Sequence, residues 1–375
     1  MNKKEISEIK KQFSPSNCNI SRICGCYVNG EKDIITTFKD AFLSLSEDVI
    51  FKYFEIFKKT LSGSLGKCLH DIEFPLAAEK EGGAQESLLK LRDSALKDDE
   101  LLRKFYRRII DTYCCVGNFL ILIIYGSYDI PGKSNNGETM FDASDEVYHY
   151  ILCSICPMSL DKPGLAYNEK DQKIENKDRD WVADMPLHGF LFPAFNDRSS
   201  DIHAGLYYTK KSHDMQDEFF AEMFEATVPM SDDEQQKAFS TVIEETFNHE
   251  LDFNIAKAIN DNLMERITEH EMSAEKYTLD KNEMKELLEE SGADEEKLEH
   301  FDEIFDGAMG KNAKGKALIA QNLLNTAKLT VKSDDIVVTA KQESGSGIET
   351  KIIDGRRCLV IELSGNCTVN GIPVN

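Results

Sequence analysis

Four side chains able to bind a polar ligand or move a proton lie close together in the middle of the chain. They follow the apolar run 189–195 within seven residues and are Asp197, Arg198, Asp201 and His203. Binding groups concentrate in loops at strand ends, so an enzyme site with His203 as proton carrier is one hypothesis. The other, which the sequence favours, is a tight turn whose acidic and hydroxyl side chains bond their own backbone while Arg198 forms a structural ion pair.

A basic patch at helical spacing is the second candidate site. Its members occupy positions i, i+1, i+4 and i+5 of a predicted helix and are Arg103, Lys104, Arg107 and Arg108. Such a patch can hold a phosphate backbone or an acidic helix. Because another part of the same chain is strongly acidic, an internal or intersubunit ion-pair surface is favoured over nucleic-acid binding.

The segment from Gly126 to Ser134 has the appearance of a phosphate-binding loop, because it follows an apolar strand and ends in Gly-Lys-Ser. Five residues separate Gly126 from Gly132, whereas a P-loop has four. The next residues, Asn-Asn-Gly at 135–137, break a helix, although a P-loop needs a helix there to hold the anion. The sequence therefore argues against nucleotide binding at this place.

Cys153 and Cys156 have the two-residue spacing of a zinc knuckle or a redox pair. Side chains at i and i+3 of a strand point to opposite faces, and no second Cys-x-x-Cys completes a zinc site. We expect buried structural thiols, with a metal site or redox activity as alternatives. No metal and no cofactor are predicted.

The negative charge is concentrated in one segment. The formal net charge of the 375-residue chain is -23. Residues 211–310 have 8 basic and 29 acidic side chains, net -21, whereas residues 1–210 have net -5 and residues 311–375 net +3. A simple polyanion binder is disfavoured, because phosphate binding depends on a positive field. The segment is either a helical domain with solvated acidic faces or a docking surface for a basic partner.

The spacing of apolar residues predicts an α+β fold in three parts. We expect a mixed α/β domain with a largely antiparallel sheet at 1–210, an acidic helical domain at 211–310 and a small antiparallel β unit at 311–375. Predicted helices include 47–61, 233–247, 252–270 and 295–309, and predicted strands include 20–28, 34–38, 119–128 and 147–156. The polar stretch 168–180 is predicted to be a surface loop.

The chain has no apolar run long enough to span a bilayer, the longest being residues 119–125. No signal-peptide pattern follows the charged start, and no lipidation box is present. Ten cysteines are scattered along the chain, many of them in apolar runs. This distribution is typical of reduced thiols, so a cytoplasmic location without membrane association is expected.

Several segments resemble the bacterial domain-of-unknown-function family DUF4317. They extend over nearly the whole chain and are residues 6–13, 53–63, 125–131, 151–157, 190–198 and 352–357. The resemblance implies a cytoplasmic protein of Gram-positive, often gut, bacteria, and it implies no activity. The layout is also similar to that of bacterial nucleoid-associated proteins of this size, although no diagnostic motif supports this analogy.

Three functional hypotheses remain open from the sequence. The first is a non-enzymatic interaction protein that docks a basic protein partner through its acidic helical segment. The second is a nucleic-acid-associated, nucleoid-like protein that uses the basic patch. The third, ranked last, is an enzyme centred on Asp197, Arg198 and His203.

Overall fold

The computed structural model describes most of the chain as two compact units, Met1–Ser231 and Asp232–Asn375. The described residues are 1–133, 139–140, 146–169, 171–176, 179–270, 273, 275–310, 317–341, 347–363, 365, 367–369 and 372–374.

The first unit contains a large antiparallel sheet with helices on both faces. Its helices are α1 (Lys3–Lys10), α2 (Glu47–Thr60), α3 (Ala84–Asp93), α4 (Asp99–Thr112) and α5 (Asp217–Phe224). Its strands are β1 (Ile20–Val28), β2 (Ile34–Ala41), β3 (Leu69–Glu73), β4 (Phe119–Asp129), β5 (Gly132–Lys133), β6 (Thr139–Met140), β7 (Val147–Leu160), β8 (Leu165–Asn168), β9 (Lys173–Asn176), β10 (Trp181–Ala183), β11 (His188–Phe192), β12 (Ala194–Asn196), β13 (Ser199–Asp201) and β14 (Ala204–Thr209).

The main sheet has the strand order β2-β1-β4-β7-β11-β14-β3, and β10 pairs with β7. Its central strands are buried on both faces, because consecutive side chains enter two separate cores. In β4, Ile121 and Ile123 join the core under α3, α4 and α5, whereas Leu122 and Ile124 join the core under α1 and α2. The near-continuous apolar run of β4 follows from this two-sided burial.

The acidic helix α5 belongs to the first unit. Phe219, Phe220 and Phe224 are fully buried there, and the Phe220 ring lies 5.1 Å from the ring of Tyr207 in β14, centroid to centroid. The acidic segment 211–310 is therefore divided between the two units, since its first 21 residues lie in Met1–Ser231.

The second unit combines helices with short antiparallel pairs. Its helices are α6 (Asp232–Thr246), α7 (Phe253–Glu269), α8 (Lys281–Glu290), α9 (Phe301–Met309) and α10 (Ala320–Leu323). Its strands are β15 (Thr278–Leu279), β16 (Leu318–Ile319), β17 (Lys328–Lys332), β18 (Val337–Lys341), β19 (Ile348–Ile353), β20 (Arg356–Ile361), β21 (Cys367–Val369) and β22 (Ile372–Val374). These strands form four separate antiparallel pairs, namely β15–β16, β17–β18, β19–β20 and β21–β22.

The predicted α+β class, with its largely antiparallel sheet and small C-terminal β segments, is confirmed. Two local predictions are wrong. The helix predicted from 295 begins only at Phe301, because like charges four residues apart, such as Glu295 and Glu299, destabilise a helix. The polar stretch predicted as a loop contains part of the β8–β9 hairpin. Among the described residues, no helix combines the length and apolarity needed to cross a bilayer.

Candidate functional site

Asp197, Arg198 and Asp201 lie in the β12–β13 hairpin, and His203 lies in the turn between β13 and β14. Asp197 and Arg198 form the turn of the hairpin with φ angles of 50° and 56°. The left-handed region at both central positions is the geometry of a two-residue hairpin turn. Asp201 accepts hydrogen bonds from Asn196 Nδ2 at 2.7 Å and from the His203 backbone N–H at 3.0 Å. These contacts are the local side-chain bonds of a stabilised turn.

The two candidates that can be cationic, Arg198 and His203, have separate partners. Arg198 Nη2 donates to Glu8 Oε1 of α1 at 3.0 Å, and the same oxygen accepts from Tyr128 OH at 2.7 Å. His203 Nδ1 lies 2.6 Å from Glu79 Oε1, and this hydrogen bond raises the pKa of His203 above its ordinary value. The four candidates are close in sequence, but Arg198 and His203 contact different carboxylates, those of Glu8 and Glu79.

Two of the four cations of the basic patch on α4 form ion pairs. Lys104 pairs with Glu100 at 2.8 Å, and Arg108 pairs with Glu225 at 3.1 Å, beside the end of α5. Arg103 and Arg107 are exposed and form no salt bridge within the described part of the chain. Lys104 and Arg108 therefore have structural partners, whereas Arg103 and Arg107 are available to a ligand.

The two cysteines of the Cys-x-x-Cys spacing lie on opposite faces of the sheet. Cys153 joins the core under α3 to α5, and Cys156 joins the core under α1 and α2. Burial raises the pKa of Cys153 well above its ordinary value and that of Cys156 to about 12, so both are neutral thiols. Because β7 runs straight through both positions, the two sulfurs cannot bind one ion.

A buried histidine that the sequence analysis did not single out links three elements of the first unit. His188 is 1% exposed, and its Nδ1 lies 2.7 Å from Tyr113 OH while its Nε2 lies 2.9 Å from the Asp214 carbonyl. The carbonyl can only accept, so Nε2 carries the proton and Nδ1 accepts from the tyrosine. Burial lowers the pKa of His188. Tyr113, His188 and Asp214 are far apart in sequence, so no local pattern could have predicted their hydrogen bonds.

The second unit presents a dense group of unpaired carboxylates, which we call the acidic surface. It comprises seven exposed side chains between residues 286 and 303, namely Glu286, Glu289, Glu295, Glu296, Glu299, Asp302 and Glu303. None of the seven forms a salt bridge within the described residues. The segment count predicted an excess of charge here, and the structure adds which acids face solvent.

The helix pattern explains why these acids are exposed. In α8 the buried residues are Met284, Leu287 and Leu288, which leaves Glu286 and Glu289 on the opposite side of the helix. The neighbouring cations are engaged elsewhere, since Lys281 pairs with Asp306 at 2.6 Å and Arg266 pairs with Glu290 at 2.5 Å. The fields of like charges add where they lie within about one Debye length of each other, roughly 8 Å at physiological salt.

Comparison with known families places the whole chain in one group. Residues 1–372 match the family DUF4317, described as a domain of unknown function. The chain belongs to this family. A search of the curated proteins finds no match. Family membership confirms the resemblance seen in the sequence and assigns no activity.

Proposed function

We propose that this protein is a non-enzymatic interaction protein that docks a basic protein partner through its acidic surface. The observation that carries the proposal is the set of seven exposed carboxylates without an ion pair among the described residues. An unpaired charge on a protein surface keeps its field for a partner, whereas a paired charge has most of it cancelled.

The chemistry of the surface selects the partner. Carboxylates on α8, on α9 and on the connection between them attract a segment rich in Lys and Arg, and Arg can bind a carboxylate through two hydrogen bonds. Complementary charge mainly accelerates association and excludes acidic partners. The association is therefore expected to weaken as salt rises.

We also propose a cytoplasmic location. All ten cysteines are free thiols, including the exposed Cys114. Free thiols persist in a reducing compartment, whereas oxidising compartments favour disulfides. The location is compatible with a basic cytoplasmic protein as the partner.

The test is a native pull-down of the full tagged chain at low salt, divided into nuclease-treated and untreated halves and read by quantitative mass spectrometry. It compares the wild type with a variant carrying Glu286→Gln, Glu289→Gln, Glu295→Gln and Glu299→Gln. The matched control carries Glu31→Gln, Glu73→Gln, Glu81→Gln and Glu222→Gln, four exposed glutamates of the first unit.

Basic proteins that survive nuclease, that the acidic-surface variant loses and that the control retains are the expected result. Equal retention by all three chains would contradict the proposal. Partners that vanish with nuclease would mean that the association runs through DNA or RNA, and the basic patch would then replace the acidic surface as the site.

A further inference from the structure

The last residues of β7 and the chain that follows them form a two-stranded extension of the main sheet, which we call the β-arm (residues 158–183). Its first part is the ladder between β7 and β10, in which Leu160 lies opposite Trp181. Beyond this ladder the Asp161 backbone N–H donates to the Asp180 carbonyl at 2.9 Å. The chain between β7 and β10 contains the β8–β9 hairpin.

One face of the β8–β9 hairpin is apolar and exposed to solvent. Tyr167 lies opposite Ile174, so their side chains share a face, and Leu165 lies on the same face two residues before Tyr167. Leu165, Tyr167 and Ile174 are 77%, 59% and 64% exposed. Leu160 and Trp181 form a second exposed cross-strand pair on the β-arm. Large apolar side chains that are grouped and exposed mark an interaction surface.

The hairpin also lacks the packing that stabilises the central strands of the first unit. Within the described residues, β8 and β9 form a separate two-stranded sheet, and none of the described side chains at 165–176 is buried. A single two-stranded hairpin is marginally stable in water unless further strands or a packed surface support it. The apolar face of the hairpin therefore gains stability when another surface covers it.

The charge pattern favours a second copy of this chain as that surface. Residues 158–183 have five basic and six acidic side chains, net -1, whereas the whole chain has net -23. Lys173 and Glu175 alternate with Ile174 along β9, so they lie on the opposite face of the hairpin. The apolar face itself has no charge, so it does not select a charged partner and does not repel an identical face.

The apolar area has the size that a dimer needs. At roughly 120 Å² each, the five exposed side chains present about 600 Å², most of the about 800 Å² that each partner buries in a standard interface. A polar rim supplies the remaining area in such interfaces. In a dimer with two-fold symmetry the same patch is used twice, so each copy provides the complement of the other.

We propose that two copies of the chain associate through the apolar faces of their β-arms. Leu165, Tyr167 and Ile174 of one copy pack against the same three side chains of the other, and Leu160 with Trp181 enlarges the contact. This dimer does not depend on the acidic surface, which belongs to the second unit. Because both copies are acidic, added salt screens their repulsion and strengthens the dimer, whereas it weakens the binding of a basic partner.

The test measures the sedimentation velocity of the full chain over a range of concentrations, at low and at high salt. The wild type is expected to form dimers as its concentration rises, with a lower dissociation constant at high salt. Leu165→Glu combined with Ile174→Glu is expected to raise that constant by about thirtyfold or more, as changes at the centre of an interface do. The matched control combines Leu76→Glu and Val116→Glu, two exposed apolar residues of the first unit outside the β-arm.

The fluorescence of Trp181 reports the same contact without any substitution. Trp181 is the single tryptophan of the chain and is half-exposed. Its emission is expected to move to shorter wavelength as the wild type dimerises, because the indole enters less polar surroundings. Circular dichroism of each variant confirms that its fold is intact before the dissociation constants are compared.

Three results would overturn the proposal. One is a monomer at every concentration up to about 100 μM, far above the micromolar limit for an interface of this size. Another is an equal change of the dissociation constant in the two double variants, which would place the contact outside the β-arm. The third is a monomer whose Trp181 emission shifts only when neutral phosphatidylcholine vesicles are added, because lipid would then cover the apolar face.

Discussion

The β12–β13 hairpin region and the acidic surface differ in whether their charged side chains have ion-pair partners. Arg198 in the hairpin and His203 just after it each have a carboxylate partner from another part of the first unit. On the acidic surface, seven carboxylates face solvent without an ion pair among the described residues. The comparison teaches that residue types able to do chemistry are weak indicators of a site when their partners are internal. Exposure without a partner is the stronger indicator of binding.

The largest expected effect is a loss of stability, and it tests whether α5 of the acidic segment belongs to the core of the first unit. Phe224 of α5 is fully buried and packs against Phe190 and Phe220, with ring centroids 5.1 Å away in both cases. Phe224→Ala should lower the stability of the first unit by about 3–5 kcal/mol, because it leaves a cavity in the core. Denaturant unfolding followed by the fluorescence of Trp181, the single tryptophan and a residue of β10, measures it.

Phe51→Ala is the control for this experiment, since Phe51 lies in α2 with 49% of its surface exposed. It should change the same transition by less than about 1 kcal/mol. An unchanged midpoint for Phe224→Ala would mean that α5 is not part of the folded core, and the division of the acidic segment between two units would fail.

A smaller effect tests the internal pairing of the hairpin. Glu8 accepts from both Arg198 and Tyr128 in a half-buried site. Glu8→Gln should cost about 1.5–3 kcal/mol, the range for a hydrogen bond to a charged group. The Trp181 transition again reports it, and Glu31→Gln at an exposed position is the control. Equal midpoints for the two variants would show that Glu8 is as dispensable as a surface glutamate.

Two histidines of the first unit should titrate on opposite sides of their ordinary pKa of 6.5. Burial lowers the pKa of His188, so its contribution to stability is present above pH 6.5 and is lost as pH falls towards the folded value. The Glu79 hydrogen bond raises the pKa of His203, so its contribution is present below pH 6.5 and is lost as pH rises through the folded value.

NMR titration of the imidazole protons measures both histidine values in the full chain. Glu79→Gln should return the pKa of His203 towards 6.5 and leave that of His188 unchanged. A His203 midpoint that does not move in Glu79→Gln would remove Glu79 as the cause, and His203 would then be a proton carrier without a fixed partner.

The smallest effect on stability is expected on the acidic surface. Changing Glu286, Glu289, Glu295 and Glu299 to glutamine removes like charges from solvent and should alter the free energy of unfolding by no more than about 0.5 kcal/mol. Circular dichroism at 222 nm during denaturation checks this. A loss of several kcal/mol would instead assign these acids a structural role and weaken the comparison.

Elements with a strong local pattern could be predicted from the sequence. The strands predicted at 119–128, 20–28 and 34–38 are found as β4, β1 and β2. The predicted start of α9, residue 295, lies six residues before its observed start at Phe301. The apolar pattern of Leu298 and Phe301 does not account for repulsion between the neighbouring glutamates. Strand β3 was not predicted, because it has only five residues and is stabilised by pairing with β14, which is far away in sequence.

The candidate sites show the same limit. Charge density predicted the acidic region, because density is a property of the sequence itself. The pairing of Arg198 with Glu8 joins residues 190 positions apart, and the Tyr113–His188 bond joins residues 75 positions apart. Such partners become visible only in the folded chain, and they decide which candidate side chains remain available for binding.

The central claim is that the acidic surface, rather than net charge in general, binds a basic partner. The most direct measurement is the affinity of a fluorescent Lys/Arg-rich peptide for the wild type and the two four-glutamine variants, by anisotropy over a range of salt concentrations. The account predicts that the acidic-surface variant loses about tenfold in affinity and most of its salt dependence, while the first-unit control remains close to wild type. Equal affinities for the two variants would contradict it.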